Sequence, residues 1–324
     1  MMHAIRQYAF GPPTALLYEK VLDPVPGEGQ VRIAVAAAGV HVIDTTIRRG
    51  VPGGPFPLPS LPMTPGREVA GVVEEVGPDV DRTWLGRRVV AHLGPASGGY
   101  AELALAAADR LHEVPPTVAE SAAVAMIGTG RTAVGILEAA ELTAGDVVVV
   151  TAAAGGLGSL FVPEAKTVGA TVVALAGGPR KVERARALGA DIAGDYTRAG
   201  WADEIRRALA GRAATVVLDG VGGSVGRDAF DLVGPGGRLV RFGWSSGAPA
   251  DIGTDEFEAH GVTDAVVIGA QLIPRLPELE AAALDRVATG TWQPLVQDFA
   301  LARAADAHEA IEARATMGKV VLVP

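Results

Sequence analysis

Two hydrophobic rhythms divide the chain. Up to about residue 120, short apolar stretches with partial alternation read as strands: Gln30–Ala38, Glu68–Val76, Arg87–Ala91 and Tyr100–Leu105. Turn residues separate them, notably Pro24 to Gly27 and the proline-rich stretch from Val51 to Pro65. Near Val118 the period lengthens. Ala119–Ile127 and Ala133–Ala140 read as helices, and Val147–Val150 is a continuous apolar strand of the kind buried on both faces. Strand and helix then alternate through Thr171–Leu175, Pro179–Leu188, Trp201–Ala210, Thr215–Leu218, Ser224–Leu232 and Arg238–Phe242. The tail reads as helices Leu276–Thr289 and Ala304–Ala313 and a closing strand, Lys319–Val323.

Such alternation builds right-handed crossovers on a parallel sheet, whereas the first rhythm builds an irregular β-rich domain. The expected fold is α/β: a β-rich domain over 1–120, a doubly wound parallel-sheet domain over 121–265, and a returning segment over 266–324. At 324 residues and 49% apolar content, the chain has ample material for two cores. Its net charge of −9 works against a sequence-independent grip on nucleic acid, which needs clustered cations. With no cysteine, disulfides, iron–sulfur clusters, thiolate zinc sites and a cysteine nucleophile are all excluded. No apolar run approaches the roughly 18 residues of a membrane helix, and no signal-peptide pattern opens the sequence, so the expected location is the cytoplasm.

The most informative local pattern follows Val147–Val150. Ala153, Gly155 and Gly158 form an A-x-G-x-x-G turn between a buried strand and a helix, with a second strand following. Bare glycines let the backbone approach a pyrophosphate, which free N–H groups at the helix start then hold. A dinucleotide is therefore the expected ligand. At the end of the second strand, Ala176, Gly177 and Gly178 replace the acid that would bind a ribose 2′-hydroxyl, and Arg180 and Lys181 follow. Small residues and cations suit a 2′-phosphate, so the expected cofactor is NADPH. Pro163 falls inside the predicted cofactor helix, where proline removes a hydrogen bond.

The turn from Ala152 to Gly158, the stretch from Phe242 to Gly247, the segment from Gly39 to Asp44 and that from Gly66 to Gly71 together resemble the zinc-free quinone oxidoreductases of the medium-chain dehydrogenase/reductase superfamily. The resemblance spans nearly the whole chain. It implies a GroES-like domain, a Rossmann domain and a C-terminal return to the first. It further implies that Ala154, Gly155, Gly156, Leu157 and Gly158 receive the pyrophosphate. Gly177, Lys181, Tyr196 and Arg314 would embrace the 2′-phosphate, with Phe242, Gly243, Ser245 and Ser246 beside the nicotinamide ribose. Thr132, Val267 and Ile268 would lie at the nicotinamide end. The family often dimerises through edge strands of its Rossmann sheet, so a homodimer is expected, with Arg238–Phe242 near that region.

Departures from the family fall at His41, Thr46 and Trp244, where it usually carries asparagine, a bulky aromatic and asparagine. Zinc-dependent relatives bear cysteine at the His41 position and histidine at the Arg67 position; a guanidinium does not ligate zinc. A replacement site from His41, Asp44, Glu68 and His92 stays open as an alternative. Without a Lewis acid, the expected acceptor is one that spreads charge readily: a quinone, or an alkene conjugated to a carbonyl, stacked on the nicotinamide between the domains. His41 would donate a proton, oriented by Asp44 if the chain curls there, or else line the wall of the site. A non-catalytic NADPH-binding or RNA-binding protein is the reading from another class.

Overall fold

The computed structural model describes residues 1–52, 58–94, 97–267 and 272–324. The chain forms two compact units, Met1–Gly130 with Glu280–Pro324, and Arg131–Leu279. The described residues between 266 and 279 thus group with the second unit, and the first extends past residue 120 to Gly130.

The first unit opens with β1 (Met2–Gln7) and β2 (Leu16–Val21), an antiparallel pair. Then come β3 (Gln30–Val40), helix α1 (Val42–Arg48), β4 (Glu68–Val76), β5 (Arg88–His92), β6 (Leu103–Ala107) and β7 (Leu111–Glu113). Along β3 every second residue from Val31 to Val35 is buried, the two-residue period of a half-covered strand. The sixth strand starts later than Tyr100, because the Tyr100 carbonyl accepts the Ile5 N–H and Ala101 bridges Ala4. The unit's first segment ends in α2 (Glu120–Ala125) and a π-helical turn, Met126–Gly130.

In the second unit, α3 (Arg131–Ala140) leads into β8 (Val147–Val150), whose four valines are all buried. Helix α4 (Gly158–Thr167), β9 (Thr171–Ala176), α5 (Pro179–Ala187) and β10 (Ile192–Asp195) follow. The remaining strands are β11 (Ala214–Asp219), β12 (Val233–Arg241) and β13 (Thr263–Val266). All pair in parallel in the order β10-β9-β8-β11-β12-β13, so the winding reverses between β8 and β11. Open sheets of this kind bind ligands outside the carboxyl ends of their strands at that reversal. Of the stretch at Arg238–Phe242, the first four residues close β12, one strand in from the edge formed by β13. Pro163 is accommodated without a break. An internal proline costs about 3 kcal/mol, and burial of Leu160, Phe161 and Val162 along the same helix offsets it at about 1.5–3 kcal/mol per large apolar side chain.

The chain then returns to the first unit with β14 (Val296–Ala300), the helix Ala304–Glu312 and β15 (Lys319–Val323). The completed sheet runs β14-β15-β3-β4-β5-β7, with β6 also on β3. Its core includes Ile5, Val31, Ile33, Val69, Tyr100, Leu301 and Leu322. Among the described residues, no helix is long and apolar enough to cross a membrane.

Candidate active site

Register in the first unit brings three distant charged side chains together. β15 pairs antiparallel with β3 through Val320 opposite Val40 and Val321 opposite Gly39, which sets Lys319 beside His41. On the other side of β3, Ala38 lies opposite Val69, so Glu68 opens β4 next to Gly39. A methyl group on Gly39 would collide with the Glu68 carboxylate and crowd the Lys319 stem, and one on Gly128 would overlap the same carboxylate. These two glycines leave the room through which the cluster forms. Lys319 Nζ stands 2.8 Å from Glu68 Oε2, and His41 Nε2 stands 2.6 Å from Glu68 Oε1. Lys319 Nζ is also 2.8 Å from His41 Nε2. Glu68 is wholly buried and Lys319 nearly so, while the His41 side chain is 26% exposed. Burial would raise the Glu68 carboxyl, but the charges of His41 and Lys319 beside it hold it well below the usual carboxylate range.

Helix α1 is short and rich in β-branched residues, poor helix formers in isolation. Asp44 starts it by accepting the His41 backbone N–H at 2.8 Å. The curl thus forms, but the Asp44 carboxylate meets the main chain of His41, and the imidazole takes Glu68 and Lys319 as its partners. Asp44 also accepts the Tyr100 hydroxyl at 3.1 Å, and Arg67 Nη2 lies 3.8 Å from its other oxygen.

In the second unit, most residues expected at a cofactor gather at the carboxyl ends of the strands. The turn from Ala154 to Gly158 follows β8, Gly177 follows β9, Tyr196 follows β10, Phe242 to Ser246 follow β12, and Val267 follows β13. Thr132 is the second residue of α3. A Cβ on Gly158 would sit 2.5 Å from the Ala152 carbonyl oxygen, so the helix can lie this close to its strand only with glycine there. The Tyr196 ring covers Gly177, where an added Cβ would come within 3.1 Å of it. Lys181 lies in the first turn of α5, and Arg180 beside it is exposed. Arg314 belongs to the first unit, between the helix Ala304–Glu312 and β15. Ile268 lies outside the described residues.

Sequence reasoning missed what braces these loops. Asp219, buried at the end of β11, accepts the Thr151 hydroxyl at 2.8 Å and the Val221 N–H at 2.9 Å, while Thr151 Oγ1 accepts the Gly220 N–H at 3.0 Å. This locks the turn after β8 to the loop after β11. Ser245 and Ser246 are pinned to the same loop by N–H bonds to Gly220 and Val221. The sequence signal available for it is an acid closing a mostly apolar strand. An acid also reaches the end of β9 from its neighbour: Asp195 Oδ1 accepts the Gly178 N–H and both donors of Thr197.

Comparison with known proteins agrees with this layout. Residues 27–116 match a family model described as the alcohol dehydrogenase GroES-like domain, and residues 188–322 one described as zinc-binding dehydrogenase. A quinone oxidoreductase of Pseudomonas aeruginosa is 33% identical over all of both chains. The chain belongs to the quinone oxidoreductase family of medium-chain dehydrogenases/reductases. It is accordingly an oxidoreductase, with the GroES-like and Rossmann halves of that family. A 2-haloacrylate reductase of Burkholderia is 32% identical over 97% of this chain and 96% of its own. A mycobacterial protein solved in complex with NADPH superposes with a TM-score of 0.86, at 31% identity and full coverage of both chains.

The residues of this family member do not fit the zinc of the second family description. Arg67 stands where a zinc-dependent relative carries histidine, and the Lys319 ammonium touches both donors that remain, His41 and Glu68. A fixed positive charge at that distance repels a divalent cation. Among the described residues, no group of three His, Cys, Asp or Glu side chains is arranged to hold a metal ion.

Proposed function

We propose that this chain reduces quinones with NADPH, without zinc. The carrying observation is the set of bare and braced loops at the carboxyl ends of the second unit's strands, an arrangement that suits a dinucleotide. Gly155 and Gly158 keep side chains out of the turn where a pyrophosphate would be held by main-chain N–H groups. Gly177 with Tyr196, and Lys181 in the adjoining first turn, fit the adenosine 2′-phosphate. The NADPH of the mycobacterial relative supports the same cofactor.

When bound, NADPH supplies a hydride; the product also needs one proton. His41 is the proton donor in this reading. In the protonated ring Nε2–H donates to Glu68 Oε1 at 2.6 Å, so Nδ1 is the ring atom left for an acceptor. From the imidazolium, release of the Nδ1 proton leaves Nε2–H beside the Glu68 carboxylate, which balances the transfer within the cluster. A second reading, reduction of an alkene conjugated to a carbonyl, is favoured by the likeness to 2-haloacrylate reductase.

Steady-state assays with NADPH and NADH against naphthoquinones and enones test both readings. A kcat/KM for NADPH about 10-fold or more above that for NADH is expected from a charge-assisted contact to the extra phosphate. A hydroquinone product supports the first reading and a saturated carbonyl the second. No turnover of any acceptor, with NADPH bound, would overturn both.

A further inference from the structure

A cavity in the first unit has no part in the scheme above. It encloses about 180 Å3 and is lined by Gln7, Asp44, Arg48, Met63, Arg67 and Ser97, among others. Liquid water occupies about 30 Å3 per molecule, so the space suits a small organic anion.

Two guanidinium groups line it, and each keeps donors that its one neighbouring carboxylate does not meet. Arg48 is 1% exposed; its Nη2 donates to Glu312 Oε1 at 2.5 Å, while Nε and Nη1 lack a hydrogen-bond partner. Arg67, with 16% of its side chain exposed, has an unpartnered Nε. The carboxylate between them is Asp44, whose Oδ2 already accepts the His41 N–H and the Tyr100 hydroxyl. Its Oδ1 is 3.8 Å from Arg67, beyond hydrogen-bond reach. Three guanidinium nitrogens on two largely buried cations therefore remain to be met. Burying such donors unmet is costly, and an ionised acceptor meets them with stronger hydrogen bonds than a neutral one. The planar fork of arginine matches a carboxylate.

We propose that this cavity binds the carboxylate of a small organic acid through Arg67 and Arg48. Asp44 forms part of the wall and also holds the main chain of His41. The acid is thus placed near the proposed proton donor, and its class is a short alkenoate that serves as hydride acceptor. This second part rests on the reductase reading above.

The test compares sodium 2-chloroacrylate with its neutral methyl ester, first by calorimetric titration and then by turnover with NADPH. Wild type is expected to bind the acid about 10-fold or more tighter than the ester. Arg67→Gln should raise the Kd for the acid about 30-fold or more, as expected for truncating one partner of a buried charge pair, and lower the acid-to-ester ratio of kcat/KM in step. Arg67→Lys, which keeps a point charge without the fork, should fall between, and serves if the glutamine variant fails to fold. Acid affinity no better than that for the ester, or unaltered in both variants, overturns the proposal. If Arg67-dependent acid binding is found but no acceptor is ever reduced, the anion site stands and the reductase reading falls.

Discussion

Lys319→Met is expected to cost the folded chain about 3–5 kcal/mol, the usual effect of removing one partner from a buried ion pair. The reason lies in the geometry of Glu68. Its carboxylate is wholly buried, and against it stand the Lys319 ammonium at 2.8 Å and the partly exposed His41 imidazole at 2.6 Å. Without the ammonium, the carboxylate must either remain charged in a dry site with only the imidazoles of His41 and His92 near it or take up a proton. The loss should show as a lower midpoint in urea with an unaltered slope. The double variant Glu68→Gln, Lys319→Met removes both charges together and should recover more than half of the loss, because the penalty belongs to the uncompensated charge. Equal losses in the single and double variants would mean that Lys319 acts through packing of its stem instead.

The second large effect concerns chemistry. His41→Ala should lower kcat for an enone by about 10²–10⁴, the usual contribution of a placed general acid. The loss for a quinone should be smaller. Hydride addition to a quinone yields a stable hydroquinone oxyanion that water can protonate after release, whereas an enone yields an enolate that needs a proton delivered to finish the reaction. Parallel steady-state series with the two acceptors read this difference directly. Wild-type kcat with both would remove His41 from the mechanism and leave it as part of the wall.

Much of the second unit was legible because its signals are local. Val147–Val150 reads as a doubly buried strand from four valines alone, and the turn from Ala153 to Gly158 announces itself between that strand and a helix. Likewise β4 and β15 fall where the sequence reading set them. The β1–β2 pair escaped notice, since much of β2 is exposed and carries little apolar periodicity. Helix α1 escaped for a different reason: Val42, Ile43, Thr45, Thr46 and Ile47 favour strands, and a side chain-to-main chain bond from Asp44 decides the outcome. The charged cluster was the least legible feature. In the sequence Glu68 reads as a metal donor, and Lys319, far from His41 along the chain, reaches it through strand register. The one local hint was a lysine opening an otherwise apolar strand, a position where a cation is stable only with a buried partner.

The central claim is hydride transfer from NADPH by a protein whose own ammonium sits between the donors that a zinc ion would need. Turnover of a naphthoquinone or an enone by chelator-treated, metal-analysed protein tests it most directly, followed through the absorbance of the reduced cofactor. Full activity in the metal-free protein, with no gain on adding zinc, is the predicted result. Activity that vanishes on chelation and returns with stoichiometric zinc would contradict the account.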